Sequence, residues 1–248
     1  MENRLHLILP MAGAGTRFFD QGYDCPKPLI RLHGKPFFYW AAKSIHGKQP
    51  LALLRFVVLK EHVERFGIDR EIQSCFPEAD IVVLDHVLPG AVLTCMAGVA
   101  DLPLEAPVLF NDCDHLFRCA ELISLCAQPQ HTRPDGILLT FPSEEPKFSY
   151  LAYDSAGRVT RTVEKQVISG DAICGAYYFN RRELFSQAAE RYLKNCRYNE
   201  FFMSGVYNEM IAQGQNVRGL STQLHISFGT PEEYALAQGD PRFEELME

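Results

Sequence analysis

The first thirty-five residues restrict the folds open to this chain more than any other stretch. The stretch from Leu5 to Leu9 is apolar apart from His6, which is typical of a strand buried on both faces of a parallel sheet. A turn of small residues follows, Ala12-Gly13-Ala14-Gly15, and then Thr16 and Arg17. Glycines in such a turn let backbone N–H groups come close to an anion. The stretch therefore predicts an α/β fold whose first strand leads into an anion-binding turn.

Strand and helix signals alternate through the first half of the chain and change character in the second half. Strands are predicted at 5–11, 52–59, 81–84, 107–111 and 136–141, and helices at 36–45, 61–66, 91–100 and 120–127. Beyond these, the patterns predict a hairpin over 150–163, strands at 173–179 and 217–220, and helices at 182–192, 204–212 and 231–237. This order favours a single Rossmann-like, doubly wound, mostly parallel sheet with a small β-rich insertion.

Composition excludes several functional classes. The chain has 248 residues, of which 47% are hydrophobic, and its formal net charge is −7. An acidic chain is a poor candidate for general nucleic-acid binding, and no apolar run approaches the roughly 20 residues that span a bilayer. The eight cysteines form no Cys-x-x-Cys pair, which argues against a zinc or redox motif. With no export signal, we expect a cytoplasmic protein whose cysteines are reduced.

A second cationic motif follows the glycine turn. Pro26-Lys27-Pro28 comes ten residues beyond Arg17, so one arginine and one lysine bring positive charge to the turn. The combination of a strand, Gly-x-Gly-Thr-Arg and Pro-Lys-Pro resembles the signature of the sugar-phosphate nucleotidyltransferases, also called nucleoside-diphosphate-sugar pyrophosphorylases. The turn alone would equally suit simple packing of a strand against a helix.

The resemblance implies a reaction and a set of nucleotide contacts. Such enzymes transfer a nucleoside monophosphate from a triphosphate to a sugar 1-phosphate and release pyrophosphate. By this resemblance Arg17 and Lys27 are catalytic cations that neutralise the departing phosphates. The implied nucleotide-binding residues are Met11, Ala12, Gly13, Ala14, Gly15, Thr16, Arg17, Lys27, Gly90, Thr94 and Asp112.

Two carboxylates follow the strand predicted at 107–111. In Asn111-Asp112-Cys113-Asp114 the acidic residues alternate, so they can face the same way and share a hard cation such as Mg²⁺. The resemblance makes Asp114 a catalytic Mg²⁺ ligand, with Asp112 as the second candidate. Capping of a following helix is the alternative role. Ser227 stands where the family often has another acidic ligand, which leaves the metal to Asp114, Asp112 and water.

The resemblance also implies an acceptor site. Val163-Glu164-Lys165 is similar to a family motif in which the glutamate contacts a sugar hydroxyl and the lysine contacts the sugar phosphate. Lys165 is accordingly expected to be catalytic, and Gly175 is expected to let the backbone approach the sugar. The alternatives are an exposed charge pair at a hairpin end and a close-packed strand glycine.

We therefore expect one nucleotidyltransferase domain over 1–248, with a nucleotide-binding half at 1–141 and an acceptor-binding half at 142–248. Its partners would be a nucleoside triphosphate and a sugar 1-phosphate, for glycan, capsule or lipopolysaccharide synthesis. A non-sugar phosphomonoester such as phosphocholine is an alternative acceptor. A metal-dependent glycosyltransferase using Asp112-x-Asp114 and a non-catalytic nucleotide-binding protein are alternative functions. Neither nucleic acid nor a membrane is expected as a partner, and a homo-oligomer is left open.

Overall fold

A mixed nine-stranded sheet organises the fold in a computed structural model that describes residues 4–243. The strands are β1 (Leu5–Pro10), β2 (Arg31–Leu32), β3 (Lys35–Pro36), β4 (Leu51–Leu59), β5 (Asp80–Leu84), β6 (Val108–Asn111), β7 (His115–Arg118), β8 (Gly136–Pro142), β9 (Tyr150–Tyr153), β10 (Val159–Val163), β11 (Asp171–Phe179), β12 (Val217–Ser221) and β13 (Leu224–Ser227). The helices are α1 (Thr16–Phe19), α2 (Phe37–Lys43), α3 (Lys60–Phe66), α4 (Ile68–Cys75), α5 (Ala91–Gly98), α6 (Ala120–Ala127), α7 (Arg182–Asn195), α8 (Met203–Ala212) and α9 (Pro231–Gln238), with short 3-10 turns at Lys27–Leu29, Gln130–Thr132 and Pro241–Phe243.

The central strands of the sheet are parallel. The order is β10-β9-β11-β6-β1-β4-β5, with β1 parallel to both β4 and β6, and β4 parallel to β5. β11 then runs antiparallel to β6 and β8, while β12 is parallel to β8. This topology confirms the predicted mostly parallel, doubly wound α/β sheet with additional antiparallel strands.

Burial on both faces explains why β1 is apolar almost throughout. Leu7 and Leu9 belong to one buried cluster and Ile8 to another, because successive side chains of a strand point to opposite faces. A third apolar cluster contains Phe18, from the helix that follows the glycine turn, and Phe228. The third cluster therefore anchors both the turn and the segment after β13 beside the sheet.

The element predictions are confirmed in type, with several differences, among them the short helix α1 and the β2–β3 pair, which were not predicted. The helix predicted at 61–66 is followed by a second one, α4, after Gly67 takes up the left-handed backbone region at φ 61°. The strand pair β7 and β13 was not predicted; it forms a separate two-stranded ribbon. Pro36 lies just before α2, not inside it. Over residues 4–243, none of the helices has the length and apolar character needed to cross a membrane.

Candidate functional site

A cavity of about 180 Å³ lies beyond the carboxyl ends of β1 and β6, where ligands bind in open α/β sheets. Its wall combines residues from both halves of the chain. Those with charged or titratable side chains are Arg17, Asp112, Asp114, His115, Lys147, Cys174, Tyr177, His225 and Glu233. Arg17, Asp112 and Asp114, which were predicted from the sequence, therefore lie on one concave surface.

Lys27 joins the glycine turn to the acidic strand end. Its Nζ donates to Asp114 Oδ2 at 2.7 Å, and both side chains are about three-quarters buried. Gly15 faces it at φ 62°, where a Cβ would lie 3.4 Å from the Cβ of Lys27. Burial acts to lower the pKa of Lys27, but the charge of Asp114 outweighs it and the pKa is raised overall. Lys27 is therefore a permanent cation beside the turn.

The two carboxylates differ in their electrostatic surroundings. Burial raises the pKa of Asp112 to about 7, assisted by the nearby charge of Asp114 and opposed by Lys27. Burial also acts to raise the pKa of Asp114, but there the attraction and hydrogen bond of Lys27 prevail and the pKa is lowered. Lys27 thus stabilises the ionised form of Asp114 well and that of Asp112 poorly.

This imbalance fits a divalent cation. Asp112 and Asp114 offer the hard oxygen ligands that Mg²⁺ takes from proteins, usually one or two carboxylates. An added positive charge would stabilise the ionised form of Asp112, which the residues around it otherwise disfavour. The donor set of this site is accordingly suited to Mg²⁺ through Asp112 and Asp114.

Two glycines keep the space around the carboxylates free of side chains. A Cβ on Gly175 would lie 2.8 Å from Asp112 Oδ2, and one on Gly229 would lie 2.6 Å from Asp114 Oδ2. Gly175 also has φ +85° and accepts a hydrogen bond from the Asp112 backbone N–H at 2.9 Å. The backbone at each position therefore approaches a carboxylate more closely than any other residue type would allow.

The glycine turn itself is open to solvent beside the cavity. Gly13, Ala14 and Thr16 are exposed, and nothing lies within 4 Å of where a Cβ of Gly13 would be. Arg17 is exposed, lines the cavity, and forms no ion pair with the part of the chain that the structure describes. Met11 and Ala12 are instead buried in the core below the turn.

The Glu164-Lys165 pair lies outside the cavity wall. Glu164 accepts hydrogen bonds from the Ser149 hydroxyl and from the Ser204 Oγ at 2.8 Å. Lys165 is exposed with φ 54°, and its Nζ lies 4.7 Å from the centre of the Phe202 ring. The acceptor-side roles of both residues stay predictions.

The residues assigned to base recognition are also separate from the cavity wall. Gly90 has φ +93°, and a Cβ there would lie only 2.4 Å from the Phe201 backbone nitrogen. The Val92 N–H donates to the Phe201 carbonyl at 3.2 Å, and Thr94 is buried in α5. Close packing therefore accounts for Gly90, and its contact with a nucleobase stays a prediction.

Sequence reasoning missed several residues of the cavity. Lys147 donates to Glu233 Oε1 at 2.8 Å, and Glu233 Oε2 accepts from the backbone N–H groups of Gly229 at 3.0 Å and Thr230 at 3.1 Å. The Thr-x-x-Glu spacing of Thr230 and Glu233 is a capping-box signal that could have identified the glutamate. Lys147, in a loop rich in charged residues, gave no signal, and neither did His115.

Three known proteins resemble this chain over much of its length. The 2-C-methyl-D-erythritol 4-phosphate cytidylyltransferase of Chromohalobacter salexigens is 27% identical over 165 residues, or 66% of this chain. The nucleoside-diphosphate-sugar pyrophosphorylase of Vibrio cholerae RC9 superposes with a TM-score of 0.79 at 24% identity, covering 94% of this chain and 100% of that one. The inositol-1-phosphate CTP transferase of T. maritima gives 0.75 at 15% identity, covering 98% and 94%.

These comparisons differ in how much of each protein they cover. The chain spans 36% to 62% of the length of the curated relatives it matches. The two solved structures share the fold. The model of the family described as nucleotidyl transferase matches residues 6–234, nearly the whole chain, and confirms the resemblance that the glycine turn and Pro-Lys-Pro indicated. The protein therefore belongs to the nucleotidyl transferase family.

Proposed function

We propose that the protein transfers a nucleoside monophosphate from a nucleoside triphosphate to a small phosphomonoester and releases pyrophosphate. The observation that carries this proposal is the convergence of Arg17, Asp112 and Asp114 at one cavity beyond the parallel strands, with Lys27 paired to Asp114 behind its wall. Membership of the nucleotidyl transferase family supports the reaction class. In the specific form that we favour, the acceptor is a sugar 1-phosphate.

In this reaction an anionic oxygen of the acceptor phosphate attacks the α-phosphorus of the triphosphate. One oxygen–phosphorus bond forms, the bond between the α-phosphorus and its bridging oxygen to the β-phosphate breaks, and pyrophosphate leaves with the electron pair. No covalent enzyme intermediate and no protein nucleophile is needed. The task of the protein is alignment and stabilisation of charge.

The side chains divide this task by position. The exposed Gly13–Thr16 turn presents backbone N–H groups to the triphosphate, and Arg17 supplies charge to the departing pyrophosphate. Lys27 holds Asp114 in place and adds a second positive charge. Lys147, on the cavity wall contributed by the second half, is suited to an acceptor phosphate. Mg²⁺ held by Asp112 and Asp114 would supply charge neutralisation at the reacting phosphate.

The wider biological role rests on the family resemblance. We propose that the product is an activated precursor for a glycan, made in the cytoplasm. Two relatives are named for cytidylyl transfer, which makes CTP the first donor to test.

The test is pyrophosphate release with Mg²⁺ over four nucleoside triphosphates and a panel of sugar 1-phosphates and other phosphomonoesters. One strong pairing would establish the reaction and name both substrates. Release of a nucleoside diphosphate from a nucleotide sugar, with no pyrophosphate, would instead establish the glycosyltransferase alternative that Asp112-x-Asp114 left open.

Arg17→Ala tests the proposal that Arg17 supplies positive charge to the departing pyrophosphate. We expect kcat/KM to fall about 10²- to 10³-fold, the usual cost of removing one group that stabilises transition-state charge, while Tm stays near the wild-type value because Arg17 is exposed. The matched control is Arg161→Ala, at an exposed position of β10 that does not line the cavity. Unchanged turnover in Arg17→Ala, or a large fall in Tm, would contradict the assignment.

A further inference from the structure

Three side chains of the cavity wall form a cluster that the proposed reaction does not use. His115, Cys174 and His225 each offer one nitrogen or sulfur atom, and these atoms lie within 4.8 Å of one another. His115 is 2% exposed and Cys174 is 5% exposed. All three residues also line the cavity. The cluster is therefore shielded from bulk water except through the cavity.

The fold brings these residues together from three strands. β7 and β13 are antiparallel, with His225 opposite Phe117 and Ser227 opposite His115. His115 and His225 consequently lie on the same face of the ribbon, displaced by two residues. Cys174 approaches from β11, at the irregularity where the pairing with β8 shifts between Ile173 and Tyr177.

Aromatic packing orients the two imidazoles. The His225 ring stacks on Phe141 with centroids 3.9 Å apart, and the His115 ring stacks on Phe117 at 5.7 Å. The His115 and His225 centroids are 5.5 Å apart. The rings are thus held side by side by packing with apolar neighbours, before any ligand binds.

Three of the four ring nitrogens lack a hydrogen bond of normal distance and angle. Both ring nitrogens of His115 and Nε2 of His225 are buried without such a bond within residues 4–243, although the backbone of Gly175 lies beside His115. Buried polar groups are nearly always paired, because an unpaired one costs about 1 to 3 kcal/mol. Three such atoms beside one cavity indicate that a ligand completes the site.

The donor atoms narrow the choice of ligand. Two imidazole nitrogens and one sulfur lie within 4.8 Å of one another beside the cavity. Neutral imidazole is the form that coordinates a metal ion, and a thiol joins it by losing its proton.

We propose that His115, Cys174 and His225 bind a Zn²⁺-like transition-metal ion, with a fourth coordination position open to the cavity. Two nitrogens and one thiolate are the ligands that such ions prefer, whereas Mg²⁺ prefers the carboxylate oxygens of Asp112 and Asp114. Binding forms a metal–sulfur bond and breaks the S–H bond of Cys174, whose proton goes to solvent. The site is distinct from the carboxylate pair in both residues and chemistry.

Cysteine spacing alone gave no sign of this site. The three ligands are 59 and 51 residues apart in the chain, and only the pairing of β7 with β13 and the irregularity in β11 bring them together. The proposal does not depend on nucleotidyl transfer, because metal binding is measured without substrate.

Co²⁺ is the probe for the test. The full chain is treated with a chelator, transferred to buffer containing excess Mg²⁺ to occupy carboxylates, and titrated with Co²⁺. We expect one Co²⁺ per chain, a thiolate-to-cobalt charge-transfer absorption, and release of about one proton per ion at a pH where the histidines are neutral. Added Zn²⁺ should displace the Co²⁺ and abolish the absorption.

Variants assign the ligands. Cys174→Ser should abolish the charge-transfer band and weaken Co²⁺ binding at least about tenfold, and His225→Ala should weaken binding similarly. The control is Cys126→Ser, which removes another buried free cysteine, in α6, outside the cluster. It should leave both the band and the stoichiometry unchanged.

Several results would overturn the proposal. These are failure of the wild-type chain to bind Co²⁺, binding without a thiolate band, and a band that survives in Cys174→Ser. If Cys174→Ser does not fold, the wild-type spectrum and proton count decide the question, since a site without the thiolate gives neither. Loss of the band in Cys126→Ser with retention in Cys174→Ser would likewise place the metal elsewhere.

Discussion

At the scale of single residues, the missing side chain of Gly175 shapes the site as much as any functional group does. Its backbone lies in the left-handed region and accepts a hydrogen bond from the Asp112 N–H at 2.9 Å. The Asp112 carboxylate occupies the space that a Cβ at 175 would need. The position of Asp112 therefore depends on a glycine 63 residues away in the chain.

A comparison of Gly175→Ala with Gly157→Ala should separate the effect of backbone strain from the effect of displacing Asp112. Both glycines have positive φ, at 85° and 74°, so each alanine should cost about 1 to 2 kcal/mol of backbone strain. Only Gly175→Ala also displaces Asp112, since nothing lies within 4 Å of a Cβ at Gly157. We expect turnover to fall in the first variant alone, measured as kcat beside Tm. Equal turnover in the two variants would contradict the proposed role of the close approach.

Residue types with special backbone or charge requirements could be predicted from the sequence, and residues recruited by the fold could not. Arg17, Lys27 and Asp114 sit in motifs that combine glycine, proline and alternating charge, and the structure brings these residues together. His115 carries no such local signal, because its role depends on a strand more than 100 residues away. Lys165 is a different case, since the motif match predicts contact with the acceptor while its side chain lies outside the cavity wall, and its role stays a prediction.

At the scale of elements, helix α9 fixes the segment that closes the cavity beside Asp114. The Thr230 hydroxyl accepts from the Glu233 N–H at 3.2 Å, and the Glu233 carboxylate accepts from the Thr230 and Gly229 N–H groups. This capping box ends the β13 segment and begins the helix. Gly229, whose backbone meets Asp114, is therefore held by the cap of the following helix.

Thr230→Ala should destabilise the protein by about 1 kcal/mol, the usual cost of losing a helix cap. In a chain of this size that corresponds to a fall of about 2 to 4 °C in Tm, measured by calorimetry. Thr230→Ser keeps the hydroxyl and should restore most of the loss. Equal Tm values for the serine and alanine variants would show that the hydroxyl does not stabilise the helix.

The long elements were predictable because their apolar periodicity is local. β7 and β13 were not, because each has four residues and their pairing joins positions such as Arg118 and Leu224, 106 residues apart. β7 also begins directly after the Asp112–Asp114 segment, with no turn residues between them that would mark the start of a strand. The β7–β13 ribbon, which supplies His115 and His225, could therefore not be predicted from local sequence patterns.

At the scale of the whole molecule, one sheet joins the nucleotide-binding and acceptor-binding halves. β11 lies between β6 and β8, and β12 pairs with β8, so strands from 142–248 complete a sheet begun in 1–141. Both large apolar clusters also contain residues from each half. The halves therefore share a core.

We expect the two halves to unfold together. In urea, the fluorescence of Trp40, which is in the first half, should follow the same transition as the far-UV circular dichroism of the whole chain. Separate expression of 1–141 should give insoluble protein, because β6 and β8 would lose β11. Two resolved transitions, or a soluble folded 1–141 fragment, would show that the halves are independent domains.

The central place of β11 also has a consequence for biosynthesis. β11 begins at Asp171, 60 positions after the end of β6 at Asn111. At about 5 to 20 residues per second, the ribosome needs about 3 to 12 s to deliver the strand that covers this edge. During that interval an apolar strand has one unpaired edge, which is a template for pairing with another nascent chain. The nascent chain is thus most prone to aggregation, and to chaperone binding, while the residues between β6 and β11 are being translated.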